Sequence, residues 1–142
     1  MSRAATTQVL EFGLGDESYC LDISYIDEIV DAGELTRIPN SPPHVEGVMD
    51  LRGRTTSIVD PKKVFDIHAS GAGEGRNRIV VFDPDEAGDG GAMGWVVDEV
   101  YQVITVDPDS LDDSTLSDDE GVRGVVKRED GFVVWVDPLA AR

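Results

Sequence analysis

Cysteine, lysine and long apolar runs are all scarce in this chain of 142 residues. Its single cysteine, Cys20, excludes an internal disulfide bond and a zinc site built from several cysteines. The longest unbroken apolar run, residues 132–136, is far shorter than the about 20 residues that a membrane-spanning helix needs. The sequence therefore predicts a soluble, cytoplasmic protein.

Carboxylates dominate the charge of the chain. Asp and Glu number 29 against 12 Lys and Arg, which gives a formal net charge of −17. Such a chain repels phosphate backbones and anionic headgroups, so we expect neither nucleic acid nor direct membrane insertion. The carboxylates are spread along the sequence and only Lys62, Lys63 and Lys127 are lysines. This pattern favours a protein adapted to molar intracellular salt, with a merely acidic protein as the alternative.

Apolar residues recur with a period of two, which is typical of β-strands rather than helices. A hairpin turn is predicted at 15–17, and short helices are predicted after Asp60-Pro61 and after Asp137-Pro138, because Asp caps helices and Pro favours their first position. Residues 21–30 fit either a strand or a helical turn. The predicted strands are 9–14, 18–23, 45–51, 55–60, 78–83, 94–98, 100–106, 122–127 and 132–137. So many short strands with so little helix predict a small barrel or sandwich.

The two halves of the sequence resemble each other. Residues 47–61 match 124–138 at an offset of 77, and smaller blocks upstream match in the same order at offsets of 74 and 70. We interpret this as two copies of one five-stranded unit, at about 8–66 and 78–140. Because a unit this small buries only a modest core, the copies should pack on each other and leave a groove between them.

The residues that catalysis or metal binding would need do not converge in the sequence. His44 and His68 lack paired-ligand spacing, and the acidic stretches at 83–94 and 107–120 lack positions that a calcium loop requires. Cys20 has no basic sequence neighbour, so we expect a buried structural thiol. The sequence predicts no catalytic residue, no metal site and no cofactor.

One short segment is positively charged although the chain as a whole is strongly negative. Between Leu51 and Lys63, four cations accompany a single acid, Asp60. Either this is scatter or it marks a binding surface. Arg52 is the more specific candidate, because it lies at a hairpin corner where a carboxylate can hold its guanidinium group. Glu28 is a candidate for that carboxylate.

These residues also carry a family resemblance. The run TRIPNSPPHVEGVMDLRGRTTSIVDP (36–61) resembles the signature of CheW, the chemotaxis adaptor, and similar blocks follow in order at 14–29, 93–104 and 123–140. Asp50, Ser57 and Pro61 depart from the usual pattern. The resemblance implies an all-β fold, two interlocked SH3-like five-stranded β-barrels within one CheW-like domain over 8–140, with strands exchanged between the barrels.

The resemblance implies a non-enzymatic adaptor that joins the histidine kinase CheA to the cytoplasmic domain of chemoreceptors, at receptor arrays near the membrane. A scaffold for a different histidine-kinase pathway is the alternative. By position, the implied kinase-binding residues are Glu28, Gly47, Arg52 and Gly53. The implied receptor-binding residues, in the groove, are Ile26, Gly94, Val100 and Val103. Each also has a purely structural interpretation: close packing for the glycines, core packing for the apolar residues, and internal pairing for Glu28 with Arg52.

Overall fold

Ten short β-strands make up most of the protein. The computed structural model describes residues 6–65, 67, 77–83, 92–107, 122–128 and 131–138. The strands are β1 (Thr7–Leu14), β2 (Glu17–Asp22), β3 (Ile26–Asp31), β4 (Val45–Leu51), β5 (Arg54–Val59), β6 (Arg78–Phe82), β7 (Met93–Val97), β8 (Glu99–Val106), β9 (Val122–Arg128) and β10 (Gly131–Val136). A 3₁₀ turn, Ile23–Tyr25, separates β2 from β3, and one short helix, α1 (Pro61–Val64), follows β5.

The strands form two five-stranded sheets. Sheet A has the order β8-β1-β2-β10-β9, and sheet B has the order β3-β6-β7-β5-β4. Each sheet is antiparallel except for one parallel pair, β10 with β2 in sheet A and β5 with β7 in sheet B. The all-β architecture of two interlocked SH3-like barrels, expected from the sequence, agrees with this pair of sheets.

The chain crosses between the sheets twice within the described residues. It leaves sheet A after β2 through the 3₁₀ turn, and it returns from β7 in sheet B to β8 in sheet A through Asp98. Both sheets therefore contain strands from both halves of the chain. If each strand of sheet B is replaced by the strand five places later, counting on from β10 to β1, the order of sheet B becomes that of sheet A. The two sheets therefore have the same strand topology.

Three groups of buried side chains hold the fold together. Sheet A encloses one core around Trp135 and Cys20, and sheet B encloses a smaller one around Ile58 and Ile79. The largest group lies between the sheets around Trp95, whose ring makes edge contacts with three phenylalanines. Burial of apolar side chains of this size stabilises by roughly 1.5–3 kcal/mol each, so the shared core dominates the association of the two sheets.

The structure agrees with the period-two pattern to within a residue or two at most strand ends. The ambiguous stretch 21–30 divides into the end of β2, the 3₁₀ turn and β3. Asp60 caps α1 as expected, by accepting a hydrogen bond from the backbone N–H of Lys62. The helix expected after Asp137 and Pro138, His68, and most of the acidic stretches lie outside the described residues. Among those described, no helix is long and apolar enough to cross a membrane.

Candidate functional site

The tight turn between β4 and β5 fixes the position of Arg52. Leu51 pairs with Arg54, so Arg52 and Gly53 form a two-residue connection. Both have positive φ values, 55° and 78°. Two consecutive positive values identify a type I′ turn, whose twist matches that of the flanking strands. The sequence prediction of a hairpin corner at Arg52 is therefore consistent with the backbone.

Arg52 and Glu28 form an ion pair across this corner. Nη2 of Arg52 lies 2.9 Å from Oε1 of Glu28, with 81% of the arginine side chain exposed and 22% of the glutamate. Beside the pair lies a cavity of about 200 Å³, lined among others by Arg54, Thr56 and Phe82. An exposed pair of this kind contributes only about 0–1 kcal/mol to stability. Most of the guanidinium group therefore remains available to a partner.

The two lysines of the segment from Leu51 to Lys63 each contact a carboxylate from another element. Lys62 lies 3.2 Å from Asp98, and Lys63 lies 3.0 Å from Glu46. The sequence left open whether the four cations form a binding surface. Because both lysines are paired, their charge is largely balanced within the protein.

Three of the four implied receptor-binding residues lie near the junction of the two sheets. Ile26 in β3 pairs with Phe82, and Val100 in β8 pairs with Phe12. Both are partly buried against the core that the sheets share. Val103, which pairs with Leu10 and so lies on the same face of sheet A as Val100, is 50% exposed.

Tyr101 is a further exposed apolar residue on β8 that the sequence reasoning missed. It is 47% exposed, and a Cβ placed on Gly13 would lie 2.8 Å from its hydroxyl oxygen, so the ring packs directly on the Gly13 backbone. Partial burial, and then the nearby charges of Glu99 and Glu11, raise the pKa of Tyr101. A register shift between β1 and β8 occurs at this position, which a period-two pattern does not anticipate. Tyr101 therefore lies on the face of sheet A that Gly13 shares with Glu11, opposite to the face of Val100 and Val103. We call Ile26, Val100 and Val103 the junction surface.

The three implied glycines differ in their surroundings. Gly53 is exposed, with open space where a Cβ would lie. Gly94 is buried, and its missing Cβ would lie 2.9 Å from Ile79 Cγ2 and 3.1 Å from the Val80 carbonyl oxygen. Gly47 is also buried, against the backbone of Thr36. Gly47 and Gly94 therefore allow close packing against neighbouring residues, in line with the structural interpretation of these glycines.

Cys20 is fully buried in the core of sheet A. Burial raises the pKa of its thiol to about 12, with a smaller contribution from Glu11. The expectation of no basic neighbour needs correction, because Arg128 is close enough to lower this pKa, although burial outweighs it. In the part of the chain that the structure describes, no group of three or more His, Cys, Asp or Glu side chains is arranged to hold a metal ion.

Comparisons with known proteins agree with this architecture. A sequence profile described as the CheW-like domain matches residues 8–141. The chain is 27% identical over 132 residues to the chemotaxis protein CheW of Thermotoga maritima, a match that covers 92% of this chain and 83% of that protein. It is 30% identical over 129 residues to the chemotaxis protein CheW of Helicobacter pylori, covering 89% and 75% of the two chains.

A solved structure is similar along nearly the whole chain. The crystal structure of the CheW scaffolding protein from Thermoanaerobacter tengcongensis superposes with a TM-score of 0.79 at 30% sequence identity, covering 94% of this chain and 90% of that one. The sheets, the Arg52 corner and the full-length match lead to one conclusion: this chain belongs to the CheW-like domain family.

Proposed function

We propose that this protein is a non-enzymatic chemotaxis adaptor that couples chemoreceptors to the histidine kinase CheA. The observation that carries the proposal is the junction surface, a set of partly exposed apolar side chains on the edge strands β8 and β3 beside the core that the two sheets share. The CheW relatives named above support the pathway. Such a protein would act in the cytoplasm, at receptor arrays.

The junction surface suits the apolar face of a receptor helix. Strand β8 lies at the edge of sheet A and β3 lies at the edge of sheet B. Ile26 on β3 and Val100 on β8 both pack against the core between the sheets. Apolar grooves of this kind accept amphipathic helices, with affinity from buried area and specificity from a few anchoring side chains. Val103, which is 50% exposed, is the anchor that a helix would bury further.

A charge at Val103 tests the receptor contact. Val103→Lys should weaken binding to a purified receptor cytoplasmic fragment by at least tenfold, because a lysine would have to be desolvated in the groove. Gln102→Lys is the matched control, since adjacent strand residues point to opposite faces and Gln102 already contacts Glu11. Equal loss of affinity in both variants would contradict the receptor site.

On the kinase side, we propose that Arg52, Glu28 and Gly53 form the contact, with Gly47 supporting the strand beneath them. Arg52→Asp should reduce binding to the CheA regulatory domain and leave the melting temperature within a few degrees, because the ion pair it removes is exposed. Arg78→Asp is a close control, since Arg78 likewise pairs with a carboxylate on β3, Asp31, at 3.2 Å.

Co-purification with the kinase distinguishes the outcomes. If Arg52→Asp retains full CheA binding, the kinase site lies elsewhere; if it unfolds the protein, the residue is structural. Recovery of a different histidine kinase, with no receptor, would favour the alternative of a scaffold for another pathway. Recovery of both CheA and a receptor in one complex supports coupling.

A further inference from the structure

Asp98 lies at the point where the chain passes from sheet B to sheet A. Strand β7 ends at Val97 in sheet B, and β8 begins at Glu99 in sheet A. A residue at such a crossing is close enough to contact both sheets, and Asp98 does so.

The backbone and side chain of Asp98 join three elements. Its N–H donates to the Gly13 carbonyl oxygen at 3.0 Å, and its Oδ2 accepts from the N–H of Gly15 at 2.6 Å, both on the β1–β2 hairpin of sheet A. Its carboxylate also accepts from Lys62 Nζ, at 3.2 and 3.3 Å. Lys62 belongs to α1, which directly follows β5 of sheet B.

The pair is shielded from water more than the other described ion pairs. The side chains of Lys62 and Asp98 are 18% and 19% exposed, whereas Lys63 is 54% exposed in its pair with Glu46. Partly buried charges attract more strongly than exposed ones and are screened less by salt. The Lys62–Asp98 pair is therefore the described ion pair best able to constrain structure.

The sequence has no counterpart of Lys62 and Asp98 at the corresponding positions of the other half. Aligning the two halves at an offset of 74 places Ser24 opposite Asp98, and an offset of 77 places Leu139 opposite Lys62. At the first crossing, Asp22 accepts a hydrogen bond only two residues away, from the N–H of Ser24. The charged pair that holds Asp98 therefore arises from residues that only one half of the sequence carries.

We infer that Asp98, held by Lys62 and Gly15, is a positioning residue that fixes sheet A relative to sheet B at the second crossing. The same contact determines the placement of β8. Val100 and Tyr101 follow Asp98 within three residues, and Tyr101 packs on Gly13, whose carbonyl oxygen accepts the Asp98 N–H. Loss of the pair should therefore loosen the edge of sheet A that carries the junction surface.

Distances between spin labels test the positioning role without any partner. Cysteines introduced at the exposed positions Asp27 in β3 and Thr105 in β8 place one label on each sheet, while the buried Cys20 stays unlabelled. Lys62→Met should broaden this distance distribution or add a second population. A label pair at Thr105 and Lys127, both on sheet A, should keep its distribution unchanged.

Lys63→Met is the matched control. It removes a lysine from the same helix, but its partner Glu46 lies on β4 of sheet B, so no contact between sheets is lost. Asp98→Asn keeps an oxygen for the Gly15 N–H but loses the charge pair, so it should broaden the distance distribution less than Lys62→Met. It should also remain folded, which keeps the test possible if Lys62→Met unfolds. An unchanged distribution in both Lys62→Met and Asp98→Asn overturns the inference, as does equal broadening in Lys63→Met.

The consequence for receptor binding rests on the proposed function. Suppose that only molecules with β8 in its native position bind the receptor, and that the Lys62–Asp98 pair keeps it there. If a variant reduces the fraction of such molecules to one tenth, the apparent dissociation constant for the receptor rises about tenfold. Broadened distances with unchanged receptor affinity would refute this consequence and leave the positioning role intact. If Lys62→Met broadens the distance distribution but Val103→Lys does not weaken receptor binding, only the proposed receptor site is refuted.

Discussion

The backbone of Thr36 occupies the space that a Cβ atom on Gly47 would need. Thr36 forms a two-hydrogen-bond bridge with Val48, at 2.9 and 3.0 Å, which brings the loop after β3 down onto β4. Gly47 lies next to this bridge with a φ of 154°, at a register shift between β4 and β5. Only glycine combines that backbone conformation with so close a contact.

Gly47→Ala should therefore be strongly destabilising. The added methyl group meets backbone rather than a movable side chain, so we expect a loss of roughly 2–4 kcal/mol in the free energy of unfolding, measured by urea denaturation. Gly53→Ala is the contrast, because a Cβ there meets nothing within 4 Å and only the positive φ costs, about 1–2 kcal/mol. A Gly47→Ala variant as stable as the parent would show that the loop after β3 moves away at little cost.

The buried thiol of Cys20 provides a second prediction, in alkaline solution. Its pKa is raised from 9.0 to about 12, so the fold favours the protonated thiol. Stability from this group is complete below pH 9 and is lost as the pH rises from 9 towards 12, by on the order of a few kcal/mol. Tyr19, whose pKa burial also raises, adds a loss in the same direction.

Thermal unfolding between pH 8 and 11 measures this effect. Cys20→Ala should have a lower melting temperature at pH 8, because it leaves a small cavity, but a shallower decline towards pH 11. A thiol reagent at pH 8 should modify Thr105→Cys rapidly at the introduced position and leave Cys20 unmodified until the protein unfolds. Rapid modification of Cys20 in the folded parent would contradict its burial.

Asp60 combines a favourable and an unfavourable contribution to stability. It caps α1 through the Lys62 N–H at 3.0 Å, yet burial raises its pKa despite that hydrogen bond and the nearby lysines. A raised pKa means that the stabilisation from protonation is present below the ordinary value of 3.8 and is lost as the pH rises through the folded pKa. At neutral pH the ionised carboxylate therefore costs free energy.

Asp60→Asn should keep the cap and remove that cost, since Asn caps as well as Asp. We expect its advantage over the parent, measured as the difference in urea midpoint, to be larger at pH 7 than at pH 4. Asp60→Ala should lose about 1 kcal/mol through the missing cap. The opposite result would be a parent that is more stable than Asp60→Asn, with a larger difference in urea midpoint at pH 7 than at pH 4. That result would show that attraction to the lysines outweighs the cost of burying the carboxylate.

The sequence predicts the fold well because side-chain alternation reports burial directly. The strands 45–51 and 78–83 coincide with β4 and β6 almost residue for residue. β4 alternates in burial, whereas β6 is a continuous apolar run because both of its faces pack on cores. The cap at Asp60 and the turn at Arg52 follow equally from local chemistry. The prediction that Glu28 is the partner of Arg52 rests on chemistry alone, yet the structure contains the pair.

Contacts between distant elements are less accessible to sequence reasoning. Asp98 and Lys62 are 36 positions apart and come together because they follow β7 and β5, which are parallel neighbours in sheet B. Tyr101 is exposed through a register shift, which arises from the pairing of β1 with β8 and leaves no mark in the alternation. For Gly94, the sequence does not show that a Cβ at this position would meet Ile79 and Val80.

The excess of carboxylates predicts that salt stabilises this protein. With a net charge of −17, compact folding brings like charges together, and salt that shortens the Debye length to about 3 Å at 1 M weakens their repulsion. The melting temperature should therefore rise steadily with KCl from low to molar concentration. The combined variant Asp16→Asn, Glu17→Gln and Glu34→Gln, at three exposed positions, should start from a higher melting temperature and rise less. Because neutral osmolytes do not screen charge, sucrose should stabilise parent and variant equally, whereas a melting temperature that is flat in KCl would remove the argument for salt adaptation.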